Sequence, residues 1–568
     1  MQNGHSRRKN GSVRGSNKNN SSSNKPRITV SELQARFSAV NTTDNPPNDD
    51  SSTDTSDGSI LTPSTTSAPS PNAKSNFTST TNTTNTTTTK MASGHARKAS
   101  SPMAPPFMVS APGKVIVFGE HAVVYGKAAL AAAISLRSYM LVTTLSKSHR
   151  TVTLNFRDIG LNHTWEIDEL PWHVFQQPSK KKMYYDLVTE LDPELLEAMQ
   201  PHVAAVSPNE PEDVRKIRQS SAAAFLYLFL SLGSPNSHAA VYTLRSTIPP
   251  GAGLGSSGSV SVCISTALLL QIRTLAGPHP DQPPEEAEVQ IERINRWAFV
   301  GEMVIHGNPS GVDNTVSSGG KAVLFRRDDY SKPPTVKPLH DFPELPLLVV
   351  NTNQQRSTKT EVAKVGRMRE MHPRVTESIL DSIDQCTLAA NEMISTTDFD
   401  DDDDDDDDNN SKNEALENFG ALFRINHGLL VSLGVSHPRL ERIRELVDYA
   451  NIGWTKLTGA GGGGSAITLL RRNASAPTLR KLEQKLDQEN FQRFETTLGG
   501  DGVGVLYPAV LRNGHTDEEG GEEIDQQKFE NAVGNDGIEQ LVGVGGGGGG
   551  AHNVKKREGW KFWRIGSR

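Results

Sequence analysis

The run Ile248-Pro-Pro-Gly-Ala-Gly-Leu-Gly-Ser-Ser-Gly-Ser259 sets glycines at 251, 253, 255 and 258 ahead of an apolar stretch from Val260 to Leu270. Glycines so spaced let the backbone turn until successive N–H groups converge, and a helix starting there adds the positive end of its dipole. The segment Pro249, Gly251, Gly253, Leu254, Gly255, Ser256, Ser257 and Gly258 is therefore an anion cradle. Ser256 and Ser257 fall at the helix start, where a hydroxyl either caps the helix or faces a phosphate-bound metal. A Walker A loop is excluded, because no lysine follows Gly255 or Gly258. Gly253, Gly255 and Gly258 meet the dinucleotide fingerprint only nominally: about twenty residues on, where an acidic ribose ligand should end a second strand, the chain leaves a helical run for a Pro-rich loop. ATP is the better ligand; a glycine turn with an ordinary serine cap is the bland alternative.

Three further segments carry groups able to act on a bound phosphate. In Glu285 to Ile305, the residues Ala287, Ile291, Ile294 and Ala298 mark one helix face, and Glu302 continues it. A carboxylate on a core-facing stripe needs a metal or a lysine, unless the helix end turns it to solvent. Gly307-Asn-Pro-Ser-Gly-Val-Asp-Asn314 follows, a turn that presents Asp313 at the start of another element, as a cap or as the group that accepts a hydroxyl proton. The late run Lys456-Leu-Thr-Gly-Ala-Gly-Gly-Gly-Gly-Ser465 precedes the strand-like Ala466 to Leu470, and reads as close backbone approach to a ligand. Near the start of the folded region, Lys114 stands between a Pro-Gly turn and a short apolar strand, with Glu120 and His121 at the next turn. A lone lysine at a strand entrance is usually solvated, so its meaning depends on what it faces.

The elements that must position these groups mix β-rich runs (Val115 to Phe118, Val241 to Leu244, Leu347 to Val350, Ala466 to Leu470) with longer helical stretches, which makes the class α+β or α/β. A Pro-containing stretch from Ser331 to Pro346 is a candidate seam between two domains. The chain has 568 residues, enough for two domains plus extensions, but hydrophobic residues are only 35% and mean hydropathy is -0.49. The deficit lies at the ends. Residues 1–106 are Ser, Thr, Asn and Pro with twelve Lys and Arg against six Asp and Glu, too polar to offset the entropy of ordering. Arg97-Lys-Ala-Ser100 there resembles a basic-directed phosphorylation site. The nine aspartates from Asp400 to Asp408 read as a solvated loop between helices, since a calcium site needs ligands spaced along a turn. The C-terminus closes with Gly545 to Gly550 and the basic aromatic Gly559-Trp-Lys-Phe-Trp-Arg-Ile565, read as a tail with a weak capacity for an acidic membrane surface or a partner.

The net charge of -7 argues against nucleic-acid binding, and no window reaches the ~18 apolar residues of a membrane span. No signal-peptide core opens the sequence, and only two cysteines, Cys263 and Cys386, are present, so a soluble, cytoplasmic protein is expected.

Together APGKVIVFGEHAVVYGK, PPGAGLGSSGSVSV, GEMVIHGNPSGVDN and KLTGAGGGGSAITLL resemble the motifs of the GHMP kinase superfamily in their family order, over roughly residues 107–510. The pairing of GEHAVVYGK with HGNPSGVDN is most similar to the members that phosphorylate mevalonate. The resemblance implies a two-domain α+β fold: a ribosomal protein S5 domain 2-like ATP-binding domain over 107–340 and a ferredoxin-like domain over 341–512 with an acidic insert at 396–412. A disordered tail (1–106) and a flexible Gly-rich tail (513–568) would flank them. It implies Asp313 as catalytic base near the mevalonate 5-hydroxyl, Lys114 as its partner, and Ser257 and Glu302 as ligands of Mg2+. The loop from Pro249 to Gly258 would wrap the ATP phosphates, while Glu120, His121, Thr358, Gly459 and Ala460 would lie near the acceptor. A Lys114–Asp313 pair can orient the hydroxyl as much as deprotonate it. A homodimer and inhibition by prenyl diphosphates at the ATP site are further implications. Two positions depart from the family pattern: Gly258 is commonly Ala in relatives, and Ser465 often Cys.

Overall fold

One long strand organises the molecule. The structure, a computed structural model, describes residues 105–327, 334–396, 399, 406–511, 522–524, 526–544 and 559–565. In chain order its main strands are β1 (Phe107–Phe118), β2 (Ala128–Thr144), β3 (Thr151–Phe156), β4 (Leu161–Glu166), β5 (Ala240–Ser246), β6 (Ala322–Arg326), β7 (Thr335–Leu339), β8 (Leu345–Asn351), β9 (Gly453–Leu457), β10 (Ser465–Leu470), β11 (Gln492–Leu498) and β12 (Gly504–Leu506). A last strand, β13 (Trp560–Phe562), lies near the C-terminus. They form one 13-stranded sheet. β2 joins its parts: it pairs with β1 on one side and, at successive positions, with β5 (Ser138 opposite Ser246), with β6 (Ala132 opposite Ala322) and with β11 (Ile134 opposite Leu498). Its near-continuous burial explains why it lacks an alternating polar face.

The principal helices are α1 (Pro193–Ala204), α2 (Glu212–Leu232), α3 (Ser256–Gln271), α4 (Pro284–His306), α5 (Val312–Gly319), α6 (Thr358–Met371), α7 (Pro373–Thr396), α8 (Asp406–Ser432), α9 (Pro438–Ala450), α10 (Ala476–Gln488), α11 (Gln526–Asn531) and α12 (Gly534–Val542). α4 follows its sequence signals closely, with Pro284 in the first turn, Glu285 and Glu286 beside it, and His306 in the last turn. Ala131 and Ala133 on β2 are small enough for α5 to pack its Val312 and Val316 against the sheet, and this seats Asp313. Separate apolar clusters support the halves: α2, α3 and α4 pack with β3 and β5, whereas Val350, Leu380, Leu440, Ile443 and Leu486 join α7, α9 and α10 to β8.

Three expectations are refined. Within the stretch Ser331 to Pro346, β7 pairs with β6 along its whole length, which leaves the residues between β7 and β8 as the connection. The aspartate block does lie between α7 and α8, but its last residues, from Asp406, already belong to α8 rather than to a loop. The chain after residue 512 is not simply a flexible tail: α11 and α12 form, and β13 pairs antiparallel to β12 with Phe562 opposite Gly504. The aromatic end is consumed inside the protein, with Trp563 buried and Trp560 Nε1 donating to Val542 O at 2.9 Å. That packing removes Trp563 from any membrane contact, whereas Lys561 and Arg564 stay exposed. Residues 1–104, Ser100 among them, and Gly545 to Gly550 lie outside the described residues. Among the described residues, no helix is long and apolar enough to cross a membrane.

Candidate active site

The glycine-rich loop leaves β5 through Thr247 and Ile248 and enters α3 at Gly255, whose φ of 73° only glycine adopts without strain. A Cβ there would stand 2.8 Å from Lys114 Cγ, so glycine also lets the lysine stem pass. Lys114 N donates to Leu254 O at 2.9 Å, which knits β1 to the loop. The same lysine's Nζ lies 2.8 Å from Asp313 Oδ1. Asp313 sits in the first turn of α5, and a Cβ at Gly258 would come within 2.9 Å of Asp313 Cβ. Absence of a side chain at 258 thus allows α3 and α5 to cross with the loop, Lys114 and Asp313 side by side.

Glu302 occupies the buried stripe of α4 as expected, at 2% exposure. Burial, then the charge of Asp313, pushes its carboxyl up to about 7, while the Ser257 hydroxyl and Lys114 act in the opposite sense. Its Oε1 has no protein partner. Ser257 Oγ is also 3.0 Å from His306 Nε2, a contact that sequence reasoning did not anticipate.

Glu120 borders the cavity, next to His121. It is wholly buried and forms an ion pair with Lys456, also wholly buried, while Asn426 Nδ2 donates to its other oxygen at 3.0 Å. Burial raises the Glu120 carboxyl and lowers the Lys456 ammonium, and each charge offsets the effect on the other. Lys456 Nζ also donates to Leu457 O at 2.9 Å. His121 turns toward the late glycine run, with Nε2 2.9 Å from Ala460 O and Nδ1 buried without a partner.

The late glycines serve packing more than ligand approach. Side chains at 461, 462 and 464 would collide with Val435 O, the Glu361 carboxylate and the Arg356 guanidinium respectively. Gly459 and Ala460 alone of that run line the cavity. Arg356, another residue missed from sequence, reaches across the gap: its guanidinium donates to Thr458 O at 3.3 Å and to Ala252 O at 3.5 Å, joining the two glycine segments.

These groups surround a cavity of about 980 Å³. Lys114, Glu120, His121, Asp313, Thr358 and, apart from Ala252, the loop from Pro249 to Ser257 line it, whereas Gly258 and Glu302 do not. An apolar wing, made by Phe156, Ile159, Ile217, Ala224, Leu244 and Ile264, extends it beyond the residues singled out in sequence. No short motif marks that wing, because it is assembled from α2, α3, β3 and β5. A polar end with a lysine, a carboxylate and an anion cradle, continuous with an apolar wing, suits transfer of a phosphoryl group from a nucleotide to a small polar acceptor.

The chain matches the family models "GHMP kinases N terminal domain" over residues 220–320 and "GHMP kinases C terminal" over residues 410–488. It is 68% identical over 517 residues to a mevalonate kinase of Aspergillus fumigatus, covering 91% of each chain. It is 66% identical over 470 residues to one of Gibberella zeae, covering 83% of this chain and 90% of that one. Identity to the mevalonate kinase of Saccharomyces cerevisiae is 40% over 412 residues, 71% of this chain and 90% of the relative.

Proposed function

Since the chain belongs to the mevalonate kinase family of the GHMP kinases, we infer that it transfers the γ-phosphoryl group of ATP to the 5-hydroxyl of (R)-mevalonate, giving 5-phosphomevalonate and ADP for isoprenoid and sterol synthesis. The observation that carries the assignment of the site is the Lys114–Asp313 pair, 2.8 Å apart and lying against the phosphate loop. Asp313 holds the 5-hydroxyl and accepts its proton as the oxygen bonds to the γ-phosphorus and the bond to the β-phosphate oxygen breaks. Lys114 fixes the Asp313 carboxylate and presents positive charge to the phosphoryl group in transfer. Backbone N–H groups from Gly251 to Ser257 and the N-terminus of α3 hold the phosphates. His121, Thr358, Gly459 and Ala460 border the acceptor, and the wing takes the base. Glu120 borders the same cavity and is held in place by its pair with Lys456.

Ser257 and Glu302 fit Mg2+. The orphaned Glu302 Oε1 and the Ser257 hydroxyl are hard oxygen donors, and among the described residues no cluster of three acidic, histidine or cysteine side chains exists to hold a metal by itself. Such a sparse set suits an ion that keeps phosphate oxygens and water as its other ligands. When bound, Mg2+ supplies charge neutralisation on the phosphates.

A cytoplasmic setting agrees with two free, buried cysteines. Homodimer formation and feedback inhibition by prenyl diphosphates belong to the same reading, and the apolar wing offers a place for an isoprenoid chain.

An assay of ADP release with mevalonate, phosphomevalonate and galactose as acceptors tests the function. Turnover with mevalonate no greater than with galactose overturns it. Asp313→Asn tests the site: turnover falls by about 10²- to 10⁴-fold while ATP binding is retained, and a variant that keeps its activity removes Asp313 from the reaction.

A further inference from the structure

The segment after residue 525 lies beyond both family-model matches, yet it grips the strand that feeds the phosphate loop. Arg245, near the end of β5, is the centre of this contact. Its Nη1 donates to three carbonyls of the C-terminal segment, Phe529 at 3.1 Å, Glu530 at 2.9 Å and Ala532 at 2.9 Å. Its Nε donates to Asp158 Oδ1 at 2.9 Å, and Asp158 Oδ2 in turn accepts from Ser246 N at 2.7 Å. Asp158 and Ser246 both line the cavity. Two residues beyond Arg245, Thr247 O accepts from Asn535 Nδ2 at 3.1 Å, and Thr247 directly precedes the Ile248-Pro249 entrance of the loop. Phe529, Ile538 and Val542 pack with Met108, Tyr139 and Leu141 to anchor α11 and α12 on the sheet.

We propose that residues 526–544 form a strap that sets the position of the nucleotide-side wall, with Arg245 and Asn535 as positioning residues for ATP. The physical reason is that a planar guanidinium has five donors in a fixed fork, so one side chain can hold three strap carbonyls and the Asp158 carboxylate at a defined separation. The wall cannot shift without breaking that set, and neither can the strap. Neither residue touches the acceptor side, so their effect falls on the nucleotide. The proposal rests on the reading of the wing as the nucleotide site.

The test measures kcat and both KM values on the full chain. Arg245→Met, which removes four hydrogen bonds, and Asn535→Ala, which removes one, each raise KM for ATP by about threefold to tenfold through the shifted wall, and leave KM for mevalonate and kcat within about twofold. Asn535→Ala keeps the test available if Arg245→Met does not fold. Ser221→Phe, which fills the cavity wing, is the control for the underlying reading. If Ser221→Phe leaves KM for ATP unchanged, the wing is not the nucleotide site. If Ser221→Phe raises it and the strap variants do not, the strap proposal alone is overturned. Loss of kcat in step with a lower Tm, with KM for ATP unchanged, also overturns it, since that is the signature of a merely structural contact.

Discussion

Lys456 and Glu120 are fully buried and paired, although one stands at the end of β9 and the other just past β1. Lys456 leads into the late glycine run, and Glu120 lies two residues beyond the strand that carries Lys114. The pair therefore registers the two sides of the cavity, helped by Thr458 Oγ1 donating to Ile116 O at 2.8 Å and by the His121–Ala460 contact.

Removing one member leaves an uncompensated charge in the core. Lys456→Met is expected to destabilise the protein by about 3–5 kcal/mol, read as a fall in the denaturant midpoint. The double variant Lys456→Met/Glu120→Gln should recover part of that loss, because no unpaired charge remains. A double variant less stable than Lys456→Met would show that the pair is not the source of the effect.

On the proposed assignment, Glu302 sets the response to magnesium. Burial and the nearby Asp313 hold its carboxyl up to about 7, so below that pH a proton occupies the group that the metal needs. The Mg2+ concentration for half-maximal turnover should fall as pH rises from 6 to 8. Glu302→Gln should require at least roughly tenfold more Mg2+ and lose this pH dependence. A half-maximal concentration that is the same in wild type and variant at both pH values contradicts the assignment.

Glu539 on α12 gives a stability signature of the C-terminal segment. Its carboxylate accepts from Tyr139 OH at 2.9 Å, and burial raises its pKa from 4.5 to about 7, against the effects of Tyr139, Arg137 and Thr247 and together with that of Asp536. The native state thus binds this proton more tightly than the unfolded chain. The associated stability is present in full below pH 4.5 and is lost as pH rises through 7. Glu539→Gln, which can still accept from Tyr139, should flatten the dependence of Tm on pH across that window. An unchanged slope would place the titration elsewhere.

Much of the site could be read from local sequence because its causes are local. The anion cradle follows from glycine spacing before a helix, the buried position of Glu302 from the helical period, and the placement of Asp313 from a glycine-bordered turn. β1, β5, β8 and β10 announced themselves through short apolar runs. The pairing of Glu120 could not be read, because the sequence around it holds no sign of Lys456, its distant partner. The late glycines were read as ligand-facing for the same reason: Val435, Glu361 and Arg356 occupy that space only in the folded chain. The C-terminal segment, polar and glycine-rich on average, hid its few anchoring side chains, Phe529, Ile538, Val542 and Trp563.

By itself the sequence determined the chemistry available: an anion cradle, a buried carboxylate and, through four motifs in order, a kinase family. Tertiary structure alone decided which charges meet. Lys114 faces Asp313 because glycine at 255 and 258 lets β1, α3 and α5 approach, Glu120 meets Lys456 at the buried edge of the cavity, and Arg245 ties the phosphate loop to the chain's far end. Local spacing sets backbone shape over a few residues, whereas the partner of a charge is set by packing between elements far apart in the chain.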